Sequence, residues 1–252
     1  MTALATGPCY VFGLVPLDEV PADGLPDLRP EPDGASIGAV RLVPADRVAV
    51  VVGSVPEDRP LGRAADLRAH DRVLAGLVAA GVTVLPFRFG SVVADDRAVV
   101  DELVRPHAAE FADALEQVRG CVQYTVRARY EQDSALREVL ARHPEIEALR
   151  DRTGEGDVAG RLRLGELVVR ALEHVRPADA DALIAELEPH ARSVRVREPE
   201  SAEGVLNAAA LVDRARNAAF ENAVEGCGRD TAGRIRIRLI GPIAPYDFVP
   251  ER

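Results

Sequence analysis

The sequence predicts an α+β protein of two ferredoxin-like α/β sandwich domains joined by a helical linker, and three observations carry that prediction. Short period-two runs recur along the chain, as half-buried strands do. Between them lie helical stripes closed by glycine at 81, 120 and 226–228. The succession of strand, helix or loop, strand, strand, helix, strand can be read twice, which is the ferredoxin-like order of elements. The domains are expected at residues 1–92 and 120–252, with the linker at 93–119.

Residues 9–15 are apolar on both faces, as a central strand requires. Proline and glycine dominate 16–34, an irregular loop with at most a helical turn. Apolar runs at 37–43 and 47–52 flank Pro44 and Asp46 and read as a hairpin. A helix is predicted over 63–80, with Leu67, Leu74, Leu77 and Val78 on one stripe and Gly81 as its C-terminal cap. Residues 82–90 follow as a strand with Leu85, Phe87 and Phe89 on one face and Arg88 on the other. Asp95 and Asp96 stand at the N-cap of a helix that Pro106 breaks or restarts before Phe111, Leu115 and Val118 carry it to Gly120.

The second part opens with an alternating strand, 122–129, that places Arg127 and Arg129 on one side. Helices are predicted over 131–150 and 157–190, separated by a break at 153–156 and bent near Pro177. A short strand at 193–197 carries Arg195 and Arg197 at alternate positions. Residues 205–212 read as the next strand, although their alanines leave a helix open. A helix over 213–225 bears Phe220 and Val224 and ends at 226–228. In the last strand, 234–240, Ile235, Ile237 and Leu239 take one face and Arg234, Arg236 and Arg238 the other. Gly241 and Pro242 stop it, and the tail should lay Ile243, Tyr246 and Phe248 along the surface.

Composition narrows the function. With 47% hydrophobic and 29% charged residues the chain falls among soluble globular proteins. No apolar run approaches the roughly 20 residues of a membrane span, and the first residues lack a charged start ahead of an apolar core. A cytoplasmic protein with no membrane partner is expected. The formal charge of -10 disfavours nucleic acid, whose phosphates need clustered cations. All 31 Lys and Arg positions are arginine, which reflects biased codon usage or suits planar contacts with carboxylates. Cys9, Cys121 and Cys227 lack metal-ligand spacing, so neither a disulfide frame nor a zinc site is expected, and no cofactor is implied.

Three strands of the second part thus carry arginine at every other position. On one sheet with helices behind it, these side chains would share the open face. That face is either solvated, its arginines pairing weakly with nearby acids, or a docking surface for an acidic or helical partner. An RNA-binding sheet would need aromatic residues there, but Tyr124 and Tyr130 share the inward phase of Val122 and Val126. The glycines at 154, 156 and 160 imitate a nucleotide loop with the wrong spacing after a helical stretch. His70 sits on an apolar stripe, where a hydrogen-bonded core histidine precedes a catalytic base as the expectation.

Four blocks resemble the gas vesicle protein L/F family (GvpL/GvpF): residues 10–15, the His70 helix leading into 83–90, the helix around 220–224, and 234–249. The Leu-Pro-Phe-Arg-Phe-Gly and Arg-Ile-Arg-Leu-Ile-Gly-Pro blocks are the specific ones. Asp247 departs from the Ser usual there, and residues 120–129 lack a Trp. The resemblance implies a two-domain, non-catalytic protein needed for gas vesicle formation. Its implied partners are the major shell protein (GvpA) and other gas vesicle accessory proteins, and its implied place is the cytoplasm and the gas vesicle. Docking surfaces are then expected at Arg88, at Arg127, Arg129, Arg195, Arg197, Arg234, Arg236 and Arg238, and at the apolar anchors Ile243, Tyr246 and Phe248. The alternatives are an enzyme with an inter-domain site near His70, or a minor structural component of the vesicle.

Overall fold

In a computed structural model, residues 6–21, 36–55, 61–154 and 156–250 are described, and most of the loop expected at 16–34 lies outside them. The chain forms two compact units, residues 1–123 with 242–252 and residues 124–241. Each mixes helices with an antiparallel sheet.

In the first unit, β1 (Cys9–Pro16) is buried along its whole length, as its unbroken apolar run demands. It lies between β3 (Val48–Ser54) and β4 (Leu85–Pro86), and the sheet order is β2-β3-β1-β4. β2 (Val40–Ala45) and β3 form the expected hairpin, paired from Val40 opposite Gly53 to Ala45 opposite Val48. Its turn holds Asp46 at φ 55, a left-handed conformation that Asp tolerates. Pro44 lies inside β2 without breaking it, because an edge strand leaves one row of donors unused.

The predicted helix is present as α1 (Ala64–Ala79). Gly81, at φ 81, donates to Val78 O at 3.1 Å while Val82 donates to Leu77 O at 3.1 Å, the paired bonds of a glycine-dependent C-terminal cap. Leu67 departs from the expected stripe: it is 46% exposed, and Asp66 is buried in the first turn instead. Asp66 accepts N–H bonds from Ser36 at 2.6 Å, Arg63 at 3.0 Å and Gly62 at 3.2 Å. Burial alone would raise its carboxyl pKa, but these three donors outweigh it and hold the pKa below the ordinary value.

The strand expected over 82–90 is reduced to β4. Pro86 lacks a donor, Phe87 N–H next bonds Phe12 O of β1 at 2.9 Å, and the chain then turns at Gly90, φ 93. Gly13 permits the close approach of β4, since a Cβ there would stand 2.7 Å from Leu85 O. A second short strand, β5 (Val92–Val93), pairs with the other end of β1. Phe87 packs 6.0 Å from Phe111, while Phe89 lies 6.1 Å from Tyr10, so the two rings join different clusters.

Asp95 caps α2 (Asp96–Ala98) as predicted, its carboxylate accepting from Ala98 N–H at 2.8 Å. A π-helical turn (Val99–Val104) and a 3-10 turn at Pro106 (Arg105–His107) lead into α3 (Ala108–Val118). Phe111, Leu115 and Val118 are buried, and Gly120 ends the helix at φ 67.

The second sheet repeats the order of the first: β7 (Ser193–Arg197), β8 (Gly204–Asp213), β6 (Cys121–Tyr130), β9 (Ile235–Ile243). The open choice at 205–212 is therefore a strand. Helices α4 (Gln132–Arg142), α5 (Pro144–Arg152) and α6 (Val158–Leu187) follow β6, and Pro177 lies inside α6 without ending it. Tyr124 packs on Phe220 of α7 (Asn217–Asp230) at 5.2 Å, and the Tyr130 hydroxyl donates to Asp179 of α6, so both tyrosines point inward.

Two predicted ends move outward. α7 runs through Gly226 and Gly228 to Asp230, because the left-handed turn comes at Gly233, φ 75, after the Thr231 hydroxyl has bonded Cys227 O at 2.7 Å. β9 likewise runs through Gly241 and Pro242 to Ile243, since at a sheet edge the missing proline donor breaks no ladder. The three cysteines are buried and form no disulfide with one another.

Candidate functional site

On β6 the even positions turn toward the helices, which leaves Arg127 and Arg129 on the opposite face. Arg236 and Arg238 of β9 join them. Together with Glu200 and Asn207 they line a cleft of about 430 Å³.

The charges in this cleft are unevenly matched. Arg127 Nη2 lies 2.8 Å from Glu200 Oε1, and Arg236 Nε donates to Glu131 Oε1 at 2.5 Å. Arg129 and Arg238 have no carboxylate partner among the described residues. Arg127 Nε and Asn207 Oδ1 are buried with no hydrogen-bond partner among the described residues. Such groups cost about 1–3 kcal/mol each until something satisfies them. Chemically, the cleft can hold an anion through guanidinium groups. Among the described residues that line it there is no aromatic ring on which a base could stack.

Other predicted residues lie elsewhere. Arg195 and Arg197 stand exposed on β7, opposite Ala209 and Asn207, and do not line the cleft. Arg234 falls outside the alternation because β9 begins one residue later. Its guanidinium bonds Asp179 at 2.6 and 2.9 Å and Glu138 at 2.7 Å, and lies 5.8 Å from the Tyr130 ring. The bonds to Asp179, followed by those to Glu138, raise its pKa further, so it is a structural ion pair with α4 and α6. Arg88 is exposed in the turn after β4.

The tail is more deeply held than a surface anchor would be. Phe248 is 5% exposed and Ala244 is 2% exposed, while Ile243 is half-buried as the last residue of β9. Asp247 N–H donates to Gln123 Oε1 at 2.9 Å, and Gln123 Nε2 donates back to the Asp247 carboxylate. Tyr246 is 37% exposed, but its hydroxyl is engaged by His70.

His70 is a hydrogen-bonded core histidine. Gly90 N–H donates to Tyr10 Oη at 3.2 Å, which leaves the Tyr10 hydroxyl proton for His70 Nδ1 at 2.8 Å and the Nε2 proton for Tyr246 Oη at 2.8 Å. Phe12 stacks on the imidazole at 5.8 Å. Burial drives its pKa down to about 4, and both ring nitrogens are occupied, so in this arrangement it offers no base to a substrate. Among the described residues no group of three or more His, Cys, Asp or Glu could hold a metal ion, and no helix is long and apolar enough to cross a membrane.

Glu200, Asn207, Tyr10 and Gln123 were not predictable as site or network residues. Glu200 had the one usable signal, an acidic turn between two strands of which the first bears alternating arginines.

Comparisons with known proteins agree with this architecture. A family model described as gas vesicle synthesis protein GvpL/GvpF matches residues 8–250. Gas vesicle protein F of Streptomyces sp. (strain CB03234) is 33% identical over 83% of this chain and 87% of its own length. Gas vesicle protein L of the same strain is 32% identical over 95% of this chain and 91% of its own. The crystal structure of GvpF from Anabaena sp. PCC7120 matches 98% of this chain and 100% of that one with a TM-score of 0.79 at 23% identity, and so has the same fold.

Proposed function

The chain belongs to the gas vesicle synthesis protein GvpL/GvpF family, and from that premise we propose that it is a non-catalytic accessory protein that binds a gas vesicle component during nucleation and assembly. Its partner is the shell protein or another accessory protein, met in the cytoplasm and at the growing vesicle. A shell subunit with a strongly apolar surface aggregates in water unless a soluble protein covers that surface first. The observation that supports this reading is the open arginine cleft on a chain of net charge -10. Its docking residues are Arg127, Arg129, Arg236 and Arg238, with exposed Arg88, Arg195 and Arg197 as further charge contacts. The strand order common to both sheets supports ferredoxin-like domains on either side of the helical stretch at 93–119.

Pull-down with purified shell protein tests the reading. The wild-type chain captures it, and the triple variant Arg129→Glu, Arg236→Glu, Arg238→Glu does not. Equal capture by both removes the cleft from the account.

A further inference from the structure

We propose that the arginine cleft receives a carboxylate side chain on an extended acidic segment of the partner, and that Glu200 occupies that place until the partner displaces it. This rests on the cleft being a protein-docking surface, as argued above.

The first support is charge. Four guanidinium groups converge here although acids outnumber bases along the chain, and only two of them are met by carboxylates. Arg129 and Arg238 therefore leave a local positive excess that an acidic segment complements. The second is Glu200 itself, on the loop between β7 and β8. It shows that Arg127 accepts a carboxylate at 2.8 Å, and with side chains 42% and 61% exposed the pair is weak enough to exchange.

The third support separates a peptide from a simple anion. The cleft holds both a buried donor, Arg127 Nε, and a buried acceptor, Asn207 Oδ1, with no partner among the described residues. An inorganic anion can use the donor alone. Once the two side chains turn to meet it, a peptide group beside the acidic side chain supplies a carbonyl for Arg127 and an N–H for Asn207, so a segment satisfies both.

Fluorescence anisotropy of labelled hexaglutamate and hexaglutamine on the full-length chain tests this. Hexaglutamate binds and hexaglutamine does not. Glu200→Gln tightens hexaglutamate binding about threefold or more by removing the internal competitor, and Arg129→Ala with Arg238→Ala weakens it by about tenfold. Equal binding of the two peptides, or an affinity that Glu200→Gln leaves unchanged or weakens, overturns the proposal. Inorganic phosphate that displaces hexaglutamate at equimolar concentration also overturns it, making the cleft a small-anion site. The two readings fail separately: if hexaglutamate does not bind but shell-protein capture still depends on the arginines, only this inference falls. If hexaglutamate binds as described while capture ignores the arginines, the carboxylate assignment stands and the shell protein falls as the partner that uses the cleft.

Discussion

The His70 cluster of the first unit and the arginine cleft of the second spend their polar groups in opposite ways, although both sit on sheets of the same strand order. Around His70 three donors meet acceptors in series: Gly90 to Tyr10, Tyr10 to His70, His70 to Tyr246. In the cleft two guanidinium groups, one buried Nε and one buried amide oxygen meet nothing among the described residues. A matched buried network specifies and stabilises a fold, whereas an unmatched charged face is stable only in water or against a partner. The first region should therefore govern stability and the second binding.

The sharpest way to break this contrast is His70→Ala. It opens a cavity and strands two tyrosine hydroxyls, so urea unfolding should show a loss of about 3 kcal/mol. A loss below about 1 kcal/mol would mean that the network does not hold the unit.

Acid should act through the same residue. His70 is held at about 4 against 6.5 when unfolded, so the unfolded chain binds the proton more readily. Stability is complete above pH 6.5 and falls as the pH drops toward 4, by about 2 kcal/mol at pH 5. Asp66, whose pKa is depressed, adds its own loss only below its ordinary carboxylate range, and Asp71, raised by burial, opposes the fall. The urea midpoint should fall with acid across this range in the wild type and fall much less in His70→Gln.

Smaller effects follow. Tyr246→Phe removes one partner of His70 and should cost about 1 kcal/mol by thermal or urea melting. Arg129→Ala with Arg238→Ala should change stability by less than about 0.5 kcal/mol, since neither has a carboxylate to lose among the described residues. A large loss there would make the cleft part of the fold's own support.

What could be read in the sequence was periodic and local. The hairpin at 40–54, the helix capped by Gly81 and the alternation of Arg236 and Arg238 with Ile235 and Ile237 all follow from patterns a few residues long. The misplaced features depend on distant partners. Nothing near Arg234 shows that Asp179 and Glu138 claim it, and nothing near Phe248 shows that the first unit buries it. His70 could be assigned to a core, but its partners are 60 and 176 residues away. The cleft was legible in part: its arginines alternate in plain sight, while Glu200 and Asn207 enter it only once β7 and β8 pair.

The most direct trial is genetic rescue in a gas vesicle cluster that lacks this gene. The wild-type chain should restore vesicles, seen by electron microscopy, while the variant Arg129→Glu with Arg238→Glu should not, despite equal expression and an unchanged unfolding curve. Full restoration by that variant would contradict the assignment of the second unit's cleft as the working surface.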